Sequence, residues 1–259
     1  MKFLKYFFFN INKKIIIGTN SKAGRNNLGT ITVHHKCGGN KRNFVNVDFF
    51  RRINNYGFVY KIIRDSRRTS FLGGIIYENG LFSYIILAEN IFLGQKIYSG
   101  IFNNLNKIGY TSLLKNIKLF DILNNIEIYP RKGATLSRSA GSNALLTSIN
   151  NNIVTLKLKS GWNIFLSANC LASFGCVSNL KHKFDNLKKA GKSWSLGRRP
   201  TVRGVAMNPC DHPHGGGEGR KSPPSAQRSP WGWLTKGTPS LKKKYMKKKL
   251  IFNVIPEHL

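Results

Sequence analysis

Four side chains capable of acid–base or metal chemistry fall within eight residues: Asp211, His212, His214 and Glu218. In an enzyme, His212 or His214 would act as general base with Asp211 orienting it, or the two imidazoles would ligate a metal. A metal-dependent hydrolase or nuclease is the activity that arrangement implies. The surroundings argue otherwise. From Gly197 to Arg220 the chain is rich in Pro and Gly, which supply little apolar wall to exclude water and no rigid element to hold a catalytic constellation. The same segment suits RNA. Its glycines allow close backbone approach, Arg198, Arg199, Arg203 and Arg220 pair with phosphates, and the imidazoles stack or hydrogen-bond. Arginine- and glycine-rich segments of this kind order on binding, so RNA is the preferred reading.

Two other segments share this composition. Asn20–Arg42 offers Lys22, Arg25, Lys41 and Arg42 to phosphates, with Asn26 and Asn27 able to reach base or sugar edges. Pro130–Ser142 alternates small residues with Arg131, Lys132 and Arg138. It lacks the G-x4-G-K-[ST] pattern of a phosphate-binding loop, which sets aside an NTPase. The cysteines Cys37, Cys170, Cys176 and Cys210 are too sparse for a secreted disulfide framework. Cys170-x5-Cys176 followed by His182 misses the usual spacing of a zinc knuckle and reads as buried small residues.

The charge carries the same message. Among 259 residues, 42 are Lys or Arg and 10 are Asp or Glu, a formal net charge of +32. Such an excess favours polyanions and opposes compaction unless it is neutralised. Residues 1–35 hold six basic and no acidic residues, whereas 186–259 hold sixteen against three, with eight of the nine prolines. Both ends therefore read as basic extensions, and the last quarter as an extended arm. With 41% hydrophobic residues the centre must fold. The aromatic, lysine-containing run from Met1 is interrupted too early for a signal peptide, and its lysines do not segregate into an interfacial face. No stretch reaches the roughly 18 uncharged apolar residues of a membrane span; the nearest, 75–94, is broken by Glu78, Asn79, Glu89 and Asn90. A soluble protein is expected.

These basic segments need elements to position them, and the centre supplies strands. Phe44, Val45, Val47 and Phe49 define an alternating run, and 58–63 is apolar apart from Lys61. Runs at 71–77 and 81–88 flank the turn signal Glu78-Asn79-Gly80. Val154, Leu156 and Leu158 alternate with Thr155, Lys157 and Lys159 before Ser160-Gly161, and Ile164, Leu166 and Ala168 return. Short strands with frequent turns predict two small barrels of about 70 residues each. Lys157 and Lys159 should then point outward.

The run from Gly197 to Arg220, with its Asn-Pro-Cys-Asp-His-Pro-His centre, and the later Pro230-Trp-Gly-Trp-Leu-Thr-Lys-Gly237 closely resemble the signature of the universal large-subunit ribosomal protein L-two family. The resemblance extends through Ser21–Thr32, Val47–Phe49, Leu136–Gly141 and Thr155–Gly161, in order. It implies a mainly β fold: a basic extension at 1–35, an OB-like barrel at 36–109, an SH3-like barrel at 110–185, and an rRNA-penetrating tail at 186–259. To the RNA contacts already named, the reading adds Arg51, Arg52, Arg67, Arg68, Asn208, His212, His214, Trp231 and Lys236. The resemblance further implies that Asp211 and His212 lie near the RNA of the peptidyl transferase centre. Catalysis in that family belongs to RNA, so a structural role is expected, with no cofactor of the protein's own and Mg2+ held through rRNA. Neighbouring ribosomal proteins, and the small subunit across a bridge, would be the other partners, and no membrane. Cys210 and the segment 221–229 depart from the family pattern. The 28 Asn, 25 Ile, 28 Lys and 17 Phe are residues of A/T-rich codons. They point to an organelle-encoded gene, mitochondrial rather than plastid, and so to the large subunit of the mitochondrial ribosome in the matrix.

Overall fold

The structure is a computed structural model, and it describes residues 16–101, 107–150, 152–218 and 226–237. The chain divides into two compact units. Among the described residues, the first comprises 16–20, 41–101, 107–150 and 152–186, and the second 21–40, 187–218 and 226–237.

The first unit is β. Strands β1 (Ile16–Thr19) and β2 (Arg42–Val45) form an antiparallel pair. β3 (Asn55–Arg64), β4 (Phe71–Tyr77), β5 (Phe82–Ile86) and β6 (Lys96–Ser99) make a four-stranded antiparallel sheet in the order β5-β4-β3-β6. The predicted hairpin is present. Gly80 takes φ +78 and Tyr77 N–H donates to Leu81 O at 2.9 Å, which sets the register Leu72↔Ile86. A left-handed turn residue favours glycine, which has no Cβ to clash. Within β4, a Cβ on Gly73 would lie 2.4 Å from Leu87 and one on Gly74 2.5 Å from the Tyr60 ring. Both glycines therefore let side chains close directly onto the strand.

Downstream come β7 (Thr111–Leu113), β8 (Ile122–Asn124), β9 (Ile126–Glu127), β10 (Ala134–Leu136), β11 (Ala144–Asn150), β12 (Ile153–Leu158), β13 (Asn163–Ser167) and β14 (Leu171–Phe174). Six of them form the sheet β13-β12-β11-β8-β14-β7, and β9 pairs with β10. The alternation predicted at 154–158 holds: Val154 and Leu156 are buried while Lys157 and Lys159 face outward. The first sheet belongs to an OB-like barrel and the second to an SH3-like barrel.

One apolar cluster runs through both sheets. It joins Ile75, Ile85 and Ile97 to Leu123, Leu146, Leu156 and Phe174, and a smaller cluster gathers Val45, Val47, Leu72, Tyr84 and Val177. The two barrels therefore share a core, as apolar area removed from water would favour.

Arg51 corrects an expectation. It was assigned to the RNA surface, yet it is only 4% exposed. Its Nε donates to Ser99 Oγ (3.0 Å), Nη1 to Ser173 Oγ (3.1 Å), and Nη2 to the carbonyls of Tyr98 (2.9 Å) and Gly109 (2.8 Å). It thus ties β6 to β14 and, among the described residues, is the one buried arginine, with four of its N–H donors used inside the protein. Loss of water lowers its pKa, partly offset by Tyr77 and Asp48.

The second unit is built differently. It holds the six-residue helix α1 (Ala190–Ser195) and a single 3-10 turn at Gly204–Ala206. Cys37 N–H donates to Gly197 O, Asn40 N–H to Ser195 O and Arg199 N–H to His35 O, each at 3.0–3.1 Å. A Cβ on Gly39 would lie 2.7 Å from Gly197 N, and one on Gly197 2.8 Å from Cys37 O. Only glycines allow two backbones to approach this closely. The sequence suggested separate N- and C-terminal extensions. Instead, segments 21–40 and 187–200 lie against each other, because these backbone groups satisfy one another.

Candidate nucleic-acid interface

In the β unit several basic side chains lie over aromatic rings. Arg68 stands over Phe44 (5.4 Å) and Phe49 (5.5 Å), Arg138 over Phe49 (4.9 Å) and Arg67 over Phe44 (5.8 Å). Each contact sets a guanidinium against a π face and so limits its freedom before any ligand arrives. Asp65 anchors the group through Arg68 (3.4 Å), and Arg67 Nη2 donates to Thr19 Oγ1 (2.6 Å). Arg68 is lowered in pKa first by burial and also by the Arg138 charge, with Asp65 opposing. Two guanidiniums that repel across one ring are stabilised by an anion beside them. Arg67 and Arg138 are exposed, and Arg68 is half-buried.

A second group gathers around β9. Both oxygens of the buried Glu127 are occupied: Oε1 accepts Gly133 N–H (2.9 Å), and Oε2 accepts the N–H groups of Arg131 and Leu171 (3.1 Å each). The carboxylate thereby holds the turn that presents Arg131 and Lys132 to solvent. Arg52 donates to Arg131 O and lies over Phe50 (4.8 Å), while Lys132 lies over Tyr129 (5.0 Å). Lys41 is exposed just before β2, and Arg42 is half-buried on it, opposite Thr19.

In the second unit Lys22, Arg25, Asn27, Arg198, Arg199, Arg203, Asn208 and Lys236 are exposed. Asn26 is committed internally, since its Oδ1 accepts the N–H groups of Leu28 and Thr30 (3.0 Å each) and closes the loop. Arg199 stands over Trp194 (5.2 Å), and the 69%-exposed Trp231 lies 5.8 Å from the His34 ring. Trp233, 75% exposed, shares the turn of Trp231 about Gly232. Arg220 lies outside the described residues.

The Asp-His-Pro-His segment is a hydrogen-bonded fold of its own. His212 is 7% exposed, and a Cβ on Gly204 would lie 2.5 Å from its ring. His214 N–H donates to His212 Nδ1 (3.0 Å), and Arg228 N–H donates to His214 Nε2 (3.1 Å). A nitrogen that accepts carries no proton, so neutral His212 is protonated at Nε2 and neutral His214 at Nδ1. The rings sit 4.9 Å apart. Asp211 is exposed and, among the described residues, pairs with neither imidazole. No group of three or more metal-ligating side chains gathers among the described residues. Burial first, then the Glu127 charge, pushes the Cys170 thiol up to about 12. The arrangement positions a loop; it does not align a base with an acid.

Sequence reasoning missed the rings beneath the cations: Phe44, Phe49, Phe50, Tyr129 and Trp194. The signal was present in part, since Phe50 and Tyr129 stand within three residues of the cations they carry.

Comparison with known proteins agrees with this surface. Residues 12–99 match the family described as Ribosomal Proteins L2, RNA binding N-terminal domain, and residues 107–232 match Ribosomal Proteins L2, C-terminal domain. The chain is 43% identical over 239 residues to the large ribosomal subunit protein uL2m of Reclinomonas americana, covering 91% of this chain and 86% of that one. It is 43% identical over 234 residues to the uL2 protein of Orientia tsutsugamushi, covering 90% and 85%. With the uL2 protein of a Wolbachia strain it shares 41% over 242 residues, covering 91% and 88%. Two consecutive family domains and this extent of identity make the chain a member of the ribosomal protein L2 family.

Proposed function

We propose that the chain is a structural, non-enzymatic constituent of the large subunit of a mitochondrial ribosome, bound to large-subunit rRNA. The observation that carries this reading is the Arg68–Arg138 pair stacked on Phe49, a preformed anion site in a chain of net charge +32. In the finer reading, the segment around Asp211 and His212 supports RNA near the peptidyl transferase centre, and the protein contributes to subunit association beside neighbouring ribosomal proteins. Support for an architectural role comes from His212, whose Nδ1 is already occupied by a backbone N–H. Any Mg2+ is held by the rRNA. The mitochondrial assignment is supported by the excess of Asn, Ile, Lys and Phe.

Binding of the purified chain to a large-subunit rRNA transcript, measured across salt concentrations, tests the reading. Each phosphate contact contributes about 0.7–0.9 to the log–log slope. A steep slope that becomes shallower by about two such contacts on Arg68→Ala with Arg138→Ala is expected. A flat dependence overturns it. Co-sedimentation with the mitochondrial large subunit through a high-salt gradient tests the location.

A further inference from the structure

An open groove of about 620 Å³ lies on the β unit between the end of β6 and the turn held by Glu127. That volume is within the range of about 300–1,000 Å³ typical of small-ligand sites. Arg52 and Arg131 stand on its rim, and Arg51 lines its inner side. Glu127, the only acidic residue among the described residues that line it, is spent on three backbone N–H groups.

The electrostatics call for an anion. Arg51 has five N–H donors, four of them used by neutral oxygens. Among the described residues it forms no ion pair with a carboxylate. A buried charge is ordinarily paired; Asp48 offsets this one only through space, and the groove beside it carries two more guanidiniums. Phosphate alone would not explain the rest of the lining. Ile101, Leu113 and Leu171 form an apolar wall, and Asn54 and Asn169 add amides. Asn54 Oδ1 accepts Ile101 N–H (3.1 Å), which leaves its NH2 group to donate. An apolar wall for a flat face, amides for its edge and guanidiniums for a phosphate together describe a nucleotide. Unpaired RNA bases are bound in this manner, splayed out and read along their edges.

We infer that this groove receives one extruded nucleotide of the bound rRNA, an inference that rests on the rRNA-binding reading above. Arg131 provides a clean probe. It sits at φ +64, a conformation suited to glycine, and is held there by Glu127 and by Arg52. Arg131→Gly therefore removes the cation and relaxes the backbone without threatening the fold.

The test is nucleotide-resolution chemical probing of a large-subunit rRNA transcript bound to the full chain, comparing wild type, Arg131→Gly and the groove-filling Asn169→Phe. One unpaired nucleotide protected by wild type should become reactive with both variants, and affinity should fall by about tenfold, the order of one lost charge-assisted hydrogen bond. Arg68→Ala with Arg138→Ala should weaken binding yet leave that nucleotide protected at saturation. An identical protection pattern in wild type and both groove variants overturns the inference while leaving rRNA binding intact. Absence of any binding by wild type overturns both.

Discussion

The two units reach order by opposite routes. The β unit buries more than two dozen apolar residues in clusters shared by its sheets. In the second unit, by contrast, Gly197 and His212 are the only buried residues among those described. What holds it is a set of backbone hydrogen bonds between 35–40 and 194–200 and the imidazole acceptors of the histidine segment. Net hydrogen bonds contribute about 0.5–1.5 kcal/mol each, and ordering each residue costs about 1–2 kcal/mol of backbone entropy. A unit without apolar burial sits near the edge of stability until something covers it. Charge has the same division: on the barrels Arg68 and Arg138 rest on Phe49, a ring packed against the core, while on the second unit, apart from Arg199 over the exposed Trp194, the cations flank glycines.

Hydrogen exchange on the free protein would show the largest contrast. Amides of Val59, Ile75 and Leu156 should exchange only by global opening, and those of Cys37, Asn40 and Arg199 should be at least about a thousandfold faster. Addition of rRNA should slow the second group. Equal protection of both groups in the free chain would break the comparison.

Arg51→Ala comes next. Removing the guanidinium breaks four charge-assisted hydrogen bonds at the barrel junction and leaves the Gly109 carbonyl and Ser173 hydroxyl without this donor, so the β unit should lose about 3–5 kcal/mol in urea unfolding, with exchange in the second unit unchanged. Gly197→Ala is smaller and opposite in location. Its φ of +80 and the nearby Cys37 carbonyl should cost about 1–3 kcal/mol, seen as lost protection at Cys37 and Asn40 with the barrel unfolding midpoint preserved.

Least visible near neutrality is Cys170. Its folded pKa is raised, so its contribution to stability is complete below about pH 9 and lost as pH rises toward about 12, where the unfolded thiol ionises first. Against Cys170→Ala, the wild-type stability curve should fall more steeply over that window, by up to about 1.4 kcal/mol per pH unit.

What could be read from the residues follows the same division. At 71–77 and 82–86 the strands were legible because hydrophobic runs and a glycine turn act locally. The pairing of 35–40 with 194–200 was not, since it involves main-chain groups that every residue carries, and its trace is only Gly39 and Gly197. The burial of Arg51 was not read although a cue existed. The parity that buries Val45 and Val47 continues through Phe49 to Arg51, while Arg52 falls on the opposite parity and is exposed. Net charge counts a buried guanidinium and a solvated one alike. For the histidines, composition revealed the cluster, but the acceptor roles depend on Gly204 and Arg228, which no spacing rule joins to them.

The join between Gly39 and Gly197 also sets a clock. A ribosome that makes this chain at about 5–20 residues per second releases 35–40 long before 194–200 exist, an interval on the order of ten seconds. During that time both barrel sequences emerge and can collapse on their own cores. The early segment meanwhile displays Lys22, Arg25 and Lys36 with no chain partner to close upon. The protein is born barrels first, and the basic segment made before them is the last to find its place.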